Sequence, residues 1–246
     1  LLKMLFMDQI KEFIGEDVIY YYDDSDIAEE FLGTYGNYKL DIQNTIQDPN
    51  TPVLTDFLLS GSYDDDGGPD RGAIYILHID TSGMVNSEVK ISDIAGGFGG
   101  VLANEDRFGR SVSPVGDLNI DGIVDLAVGA HLDDDGPGID RGAVWILFMN
   151  SSSLVVSESK ISDTAGGFDG VLDNGDHFGS SVAGVPDLNG DGIPDVAVGA
   201  EGDDDGSPQR GAVWLLFLTS DGSVSSHVKL SDTAAGTSGW LSGGGG

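Results

Sequence analysis

One segment of this chain occurs twice. DRFGRSVSPVGDLNIDGIVDLAVGA at 106–130 returns as DHFGSSVAGVPDLNGDGIPDVAVGA at 176–200, displaced by 70 residues. Around it other signals keep the same spacing. Arg-Gly-Ala begins at Arg71, Arg141 and Arg210, Asp-Asp-Asp-Gly at Asp64, Asp133 and Asp203, and Lys90, Lys160 and Lys229 each close a strand-like run. A period of this length means that each copy is one supersecondary unit that buries its apolar face only against its neighbours. The chain must therefore be a row of equivalent units.

Periodicity and breakers give the content of one unit. Residues 108–115 read as a first strand, 117–125 as a loop, 125–130 as a short apolar second strand and 131–140 as an Asp/Gly/Pro loop. GAVWILFM at 142–149 is apolar almost throughout, as expected of a strand buried on both faces, and 154–161 returns as a more polar strand. Four antiparallel strands from inner to outer make a β-propeller blade, so the expected fold is all-β with about three blades plus an N-terminal hairpin. The N-terminal part follows the register in decayed form, SDIAEEFLG at 25–33 matching SDIAGGFGG at 92–100. Met4 to Asp8 echoes Ile146 to Asn150, which reads as a strand; the apolar spacing over 1–14 also fits an amphipathic helix. The expected divisions are a half-blade and connection at 1–37, a degenerate repeat at 38–107, full repeats at 108–177 and 178–236, and a Gly-rich tail at 237–246.

The most specific chemistry lies in DLNIDGIVD at 117–125 and DLNGDGIPD at 187–195. Oxygen donors at positions 1, 3, 5 and 9 are Asp117, Asn119, Asp121 and Asp125 in one loop, and Asp187, Asn189, Asp191 and Asp195 in the other. They converge only if the chain wraps sharply, and Gly122 and Gly192 at position 6 supply that turn. The backbone carbonyls of Ile123 and Ile193 would complete the shell. Hard oxygens without His or Cys select Ca²⁺. Position 12 is Val128 or Val198 rather than Glu and the flanks read as strands, which excludes an EF-hand. A third copy, DPNTPVLTD at 48–56, keeps Asp48, Asn50 and Asp56 but has Pro52 and Val53 in place of the central acid and Gly, so it is expected to have lost the ion.

Phe108-Gly109 and Phe178-Gly179, each followed by the oxygen-rich loop and then Val-Gly-Ala, resemble the FG-GAP repeat of the integrin α-subunit β-propeller and its bacterial relatives. The resemblance implies that both calcium loops join strands 1 and 2 at one end of the blades. It implies adhesive or structural roles, and also covers propellers appended to enzymes. Tyr38-Lys39 stands where the degenerate copy should have Phe-Gly.

Charge bounds the partners. With 42 acidic and 11 basic residues the formal net charge is −31, which excludes nucleic acid and disfavours anionic lipid. No apolar stretch reaches the roughly 18 residues needed to insert across a bilayer. Cysteine is absent, so neither disulfides nor thiolate sites contribute. The four histidines are scattered and no serine has a nucleophile-elbow context, so the reading is non-catalytic. The Asp-Asp-Asp-Gly loops are expected at the opposite end of the blades as a solvated acidic rim, with a second cation site as the alternative. Asn150-Ser151-Ser152 is a glycosylation sequon at a turn.

The expected function is a calcium-binding extracellular or cell-surface module for adhesion or recognition of a protein or glycan ligand. The alternative is a subunit that self-assembles into a homo-oligomer or filament through open blade edges, because three blades are fewer than the four to eight that usually close a ring. A propeller fragment appended to an enzyme is the further alternative.

Overall fold

The computed structural model describes residues 42–47, 55–79, 85–135, 138–204 and 210–232. The half-blade at 1–37, the strand or helix over 1–14, Tyr38-Lys39, Asp48, Asn50 and the tail at 237–246 lie outside the described residues.

Among the described residues twelve strands form three antiparallel four-stranded sheets, each in simple sequential order. Blade one holds β1 (Ile42–Gln47), β2 (Thr55–Gly61), β3 (Ala73–Ile79) and β4 (Val85–Ser92). Blade two holds β5 (Phe108–Gly116), β6 (Asp125–Ala130), β7 (Ala143–Met149) and β8 (Val155–Ile161). Blade three holds β9 (Phe178–Val185), β10 (Asp195–Ala200), β11 (Ala212–Leu218) and β12 (Val224–Leu230). The fold is thus all-β, made of β-propeller blades, with no helix and no closed barrel among the described residues.

The strand chemistry explains the layering. In β7, AVWILFM, every residue is buried because the strand is packed on both faces: Trp145 and Leu147 face blade one, while Val144, Ile146 and Phe148 face blade three. The outer strand β8 is more open, buried at its two ends, Val155 and Ile161, and exposed at Val156 and Ser157. Two apolar clusters result, one at each joint between blades. In each joint a connector phenylalanine wedges beside the Phe-Gly strand and the tryptophan of the following blade: Phe168 lies 5.2 Å from Phe178 and 5.1 Å from Trp214, centroid to centroid, as Phe98 does at 5.0 Å from both Phe108 and Trp145.

The Phe-Gly strand touches the preceding blade by backbone. Gly72 and Phe108 form a parallel bridge, and so do Gly142 and Phe178. A Cβ on Gly142 would lie 2.1 Å from the Phe178 carbonyl oxygen, so only glycine permits this approach. The Arg-Gly-Ala signal is therefore a joint: its glycine admits the next strand, and its arginine binds the connector.

Candidate functional site: the acidic loops at the two ends of the blades

Antiparallel order sends successive loops to opposite ends. The 117–124 and 187–194 loops join the first two strands of blades two and three at one end. The Asp-Asp-Asp-Gly loops and the connectors between blades share the other end.

The 117–124 loop is wound by its own side chains. Asp117 accepts hydrogen bonds from the Asp121 N–H at 3.0 Å and the Gly122 N–H at 2.8 Å. Asn119 Oδ1 accepts from the Asp121 N–H at 3.0 Å, and Asp121 Oδ1 from the Ile123 N–H at 2.8 Å. The 187–194 loop repeats the set, with Gly192 and Asp191 amides on Asp187, Asp191 on Asn189, and Ile193 on Asp191. Gly122 and Gly192 hold φ of 89° and 90°, and no other group comes within 4 Å of a Cβ built there. They are needed for backbone conformation rather than for space.

The ninth position has a further task. Asp125, fully buried, accepts from the Leu118 N–H at 3.0 Å and the Met149 N–H at 3.0 Å; Asp195 accepts from the Leu188 N–H at 2.8 Å and the Leu218 N–H at 3.1 Å. One carboxylate thus ties the loop's start to the end of the blade's third strand. Burial pushes the Asp125 carboxyl up to about 6, the Met149 and Leu118 amides oppose this, and the charges of Asp121 and Asp117 raise it further. The Asp187 carboxyl is held below the usual range chiefly by the Gly192 amide.

Asp117, Asn119, Asp121, Asp125 and the Ile123 carbonyl fall in one loop, and their counterparts Asp187, Asn189, Asp191, Asp195 and Ile193 in the other. The donor set is all oxygen and suits a hard cation. Among the described residues, however, no three Asp, Glu, His or Cys side chains stand gathered for a metal. The donors are turned onto the loop's own amides.

The opposite end departs from the expected solvated rim. Asp133 and Asp203 are 2% and 1% exposed. Lys160 Nζ lies 2.8 Å from Asp133 and 2.7 Å from Asp135, and the same ammonium stands over the Trp145 ring, 5.3 Å from its centroid. Lys90 binds Asp64 and Asp66 at 2.7 Å each above Tyr75, and Lys229 binds Asp203 above Trp214. In two of these loops the chain's own ammonium occupies the space between two carboxylates, where a second cation was the alternative. Burial opposes ionisation of Asp135, yet the Lys160 and Ser162 hydrogen bonds hold its carboxyl below the usual range.

Two further buried acids stand beside these pairs; Asp176 was expected at this end of the blades among the connector acids, and Asp106 was not. Asp106 and Asp176 sit at the ends of the connectors, 3% and 4% exposed, and accept from the Ala103 and Asp173 amides at 2.7 and 2.8 Å. Burial, then the Asp133 charge, pushes the Asp106 carboxyl up to about 7, and the two side chains share a hydrogen bond. Burial likewise brings Asp176 to about 6, with the Asp203 charge adding to it. Arg71, Arg141 and Arg210 pair with Asp93, Asp163 and Asp232 where each connector leaves its blade. The joint recurrence of Arg-Gly-Ala, Lys-x-Ser-Asp and Asp-Asp-Asp-Gly was the signal for this network.

Comparison with known proteins agrees with the repeat. Residues 178–216 match the FG-GAP repeat family. The chain is 34% identical over 158 residues to integrin alpha-2 of Bos taurus, covering 63% of the chain and 12% of that protein. It is 32% identical over 179 residues to integrin alpha-11 of Mus musculus, covering 70% of the chain and 13% of that protein. It is 39% identical over 105 residues to integrin alpha-5 of Xenopus laevis, covering 43% of the chain and 9% of that protein. The chain thus spans about an eighth of the length of the first two relatives.

Proposed function

The chain is an FG-GAP repeat protein with repeats of the integrin α type, and from that premise we propose that it is a calcium-binding, non-catalytic recognition module working outside the cell or at its surface. The observation that carries this reading is the pair of identically wound oxygen-rich loops at the same end of adjacent blades. Each places two acids and an asparagine on the solvent side and anchors them through a buried ninth-position carboxylate. Three formal negative charges in nine residues repel one another, and a divalent cation would relieve that repulsion.

In this reading Asp117, Asn119, Asp121, the Ile123 carbonyl and Asp125, with Asp187, Asn189, Asp191, the Ile193 carbonyl and Asp195, would hold Ca²⁺. Bound calcium supplies charge neutralisation and a cross-link within the loop. The residues themselves do the rest: Asp125 and Asp195 fix the loop to the blade, and the exposed donors reorient from backbone amides to the ion. Loops of this openness belong with the weak, extracellular class of calcium sites, whose Kd of about 10⁻⁴ to 10⁻³ M is matched to calcium outside cells rather than in cytosol. The role in adhesion to a protein or glycan ligand rests on the relatives, which are integrin α-subunits.

Thermal melting with 1 mM calcium and with chelator tests the proposal. At a Kd of about 10⁻⁴ M each site adds about 1.4 kcal/mol, so chelation should lower the melting midpoint by several degrees. Asp121→Ala with Asp191→Ala should abolish the difference. Equal midpoints in calcium and chelator for the unmutated chain would overturn the calcium assignment.

A further inference from the structure

Asparagine followed by glycine occurs at two places in the chain, Asn174-Gly175 and Asn189-Gly190. Asparagine is thermolabile, and this dipeptide exposes it most. The glycine nitrogen has no side chain beside it, so it can swing onto the asparagine Cγ and close a five-membered imide ring. In the folded chain the two pairs are held differently. Asn174 lies in the connector to blade three, and both of its reacting groups are tied to blade two. Its Oδ1 accepts from the Ile139 N–H at 3.1 Å and from Arg141 Nε at 3.2 Å, and the Gly175 N–H donates to the Ile139 carbonyl at 3.0 Å. Attack there requires the connector to lift off the blade, an opening that costs free energy.

Asn189 stands in the 187–194 loop, and its hydrogen bonds stay within that loop. Its Oδ1 accepts from the Asp191 N–H at 2.9 Å, its Nδ2 donates to Asp191 Oδ2 at 2.9 Å, and the Gly190 N–H donates to Asp187 Oδ1 at 2.6 Å. Asn189, Gly190 and Asp191 are all exposed. None of these hydrogen bonds ties the pair to another strand or blade, so only the loop has to move for the nitrogen to turn toward Cγ. The Asp191 N–H already faces the side-chain oxygen on which negative charge develops during attack. Gly190 holds φ of 83°, and no other group comes within 4 Å of a Cβ built there. The loop of blade two is a natural control. Asn119 accepts from the Asp121 N–H at 3.0 Å in the same way but is followed by Ile120. Ile120 holds a left-handed φ of 62° while 77% exposed, an unfavourable conformation for a β-branched residue that packing does little to offset. Its branched side chain crowds the nitrogen that would attack Asn119.

We propose that Asn189 is a site of spontaneous deamidation, an intramolecular modification whose one co-reactant is water. The Gly190 nitrogen bonds to Asn189 Cγ and gives up its proton, the Cγ–Nδ2 bond breaks, and ammonia leaves with that proton, giving a cyclic imide. Water then opens the imide at one of its two carbonyls. Opening at Cγ leaves aspartate. Opening at the main-chain carbonyl leaves isoaspartate, in which the backbone runs through Cβ and Cγ. Nothing is oxidised or reduced. Either product adds a formal negative charge to a loop that already holds Asp187, Asp191 and Asp195. Isoaspartate also lengthens the backbone by one carbon between Asn189 and Gly190, where the loop is wound most tightly. The modification thus alters the loop of blade three and spares that of blade two. It needs no bound ion and does not depend on the calcium reading.

The test incubates the whole 246-residue chain in chelator, in mildly alkaline buffer and below its melting midpoint. Chelator keeps the result apart from the calcium reading, which melting reports. Digestion and peptide mass spectrometry follow the amide-to-acid mass change at each asparagine, and fragmentation at N–Cα bonds separates isoaspartate from aspartate. Asn189 should convert at least about tenfold faster than Asn119 or Asn174, with both acid isomers formed. In the urea-unfolded chain Asn174 should rise to the rate of Asn189, because both are followed by glycine and the hold of blade two is gone. Ile120→Gly, which also relieves the left-handed strain, should bring Asn119 to a rate comparable with Asn189. Gly190→Ile should slow Asn189 to the rate of Asn119. An Asn189 that keeps its amide, equal rates at Asn189 and Asn174 in the folded chain, or an inert Asn119 in the Ile120→Gly chain would overturn the proposal. Aspartate without isoaspartate would mean direct hydrolysis by water and would overturn the attack by Gly190.

Discussion

The two ends of each blade are both rich in aspartate and have opposite electrostatic designs. At the 117–124 end, Asn119 and Asp121 stand in water and turn to their own backbone amides. At the other end, Asp133 is buried and its charge is met by Lys160 from the same blade. The difference shows that the number of acids in a loop does not say whether it seeks an external cation. What decides is whether the fold brings a basic side chain within reach.

The largest effect should come from removing the internal cation. Lys160→Met removes the ammonium and leaves the buried Asp133 and the half-buried Asp135 facing each other without a cation. Breaking a buried pair in this way costs about 3–5 kcal/mol, which lowers the melting midpoint of a chain of this size by roughly 6–20 °C. Adding Asp135→Asn should recover part of the loss. If Lys160→Met melts with the parent, the contrast between the two ends is wrong.

A smaller effect should appear in the pH dependence. Asp106, lifted to about 7, and Asp176, lifted to about 6, bind a proton more tightly in the folded chain than in the unfolded one. A raised carboxyl pKa contributes stability that is fully present below the unfolded value of about 4. That contribution is lost as pH rises through the folded value. Melting midpoints measured between pH 5 and 8 should therefore carry a downward component that Asp106→Asn with Asp176→Asn removes. An unchanged slope in the double variant would refute the buried, shared-proton arrangement.

The smallest effect belongs to the exposed end. In chelator, Asp121→Ala removes a solvent-side carboxylate that accepts one loop amide and one asparagine N–H, so urea midpoints should shift by about 0.5 kcal/mol or less. A larger loss without calcium would mean that the loop's own hydrogen bonds, rather than an ion, are its main support.

Much of this was legible in the residues. The strand limits in blade two, read from breakers and apolar runs as 108–115, 125–130, 142–149 and 154–161, agree with Phe108–Gly116, Asp125–Ala130, Ala143–Met149 and Val155–Ile161 to within a residue. Local chemistry dictates these: a nearly continuous apolar run flanked by glycine and aspartate has one low-energy outcome. The loop donors were legible for the same reason, since Asp, Asn and Gly at fixed offsets specify a tight turn. The second duty of Asp125 was not, because the Met149 amide it accepts is 24 residues away and reaches it only across the sheet.

The sequence by itself determined the repeat, the four-strand content of each unit and the two oxygen-rich loops, because these depend on interactions between residues close in the chain. Only the tertiary structure decided which acids are solvated and which are paired, and that equal sequences have unequal burial. Val144 and Val213 occupy the same place in their blades, yet one is sealed and the other is 41% exposed. Burial is set by the neighbour that packs against a face, and no local pattern encodes whether that neighbour is present.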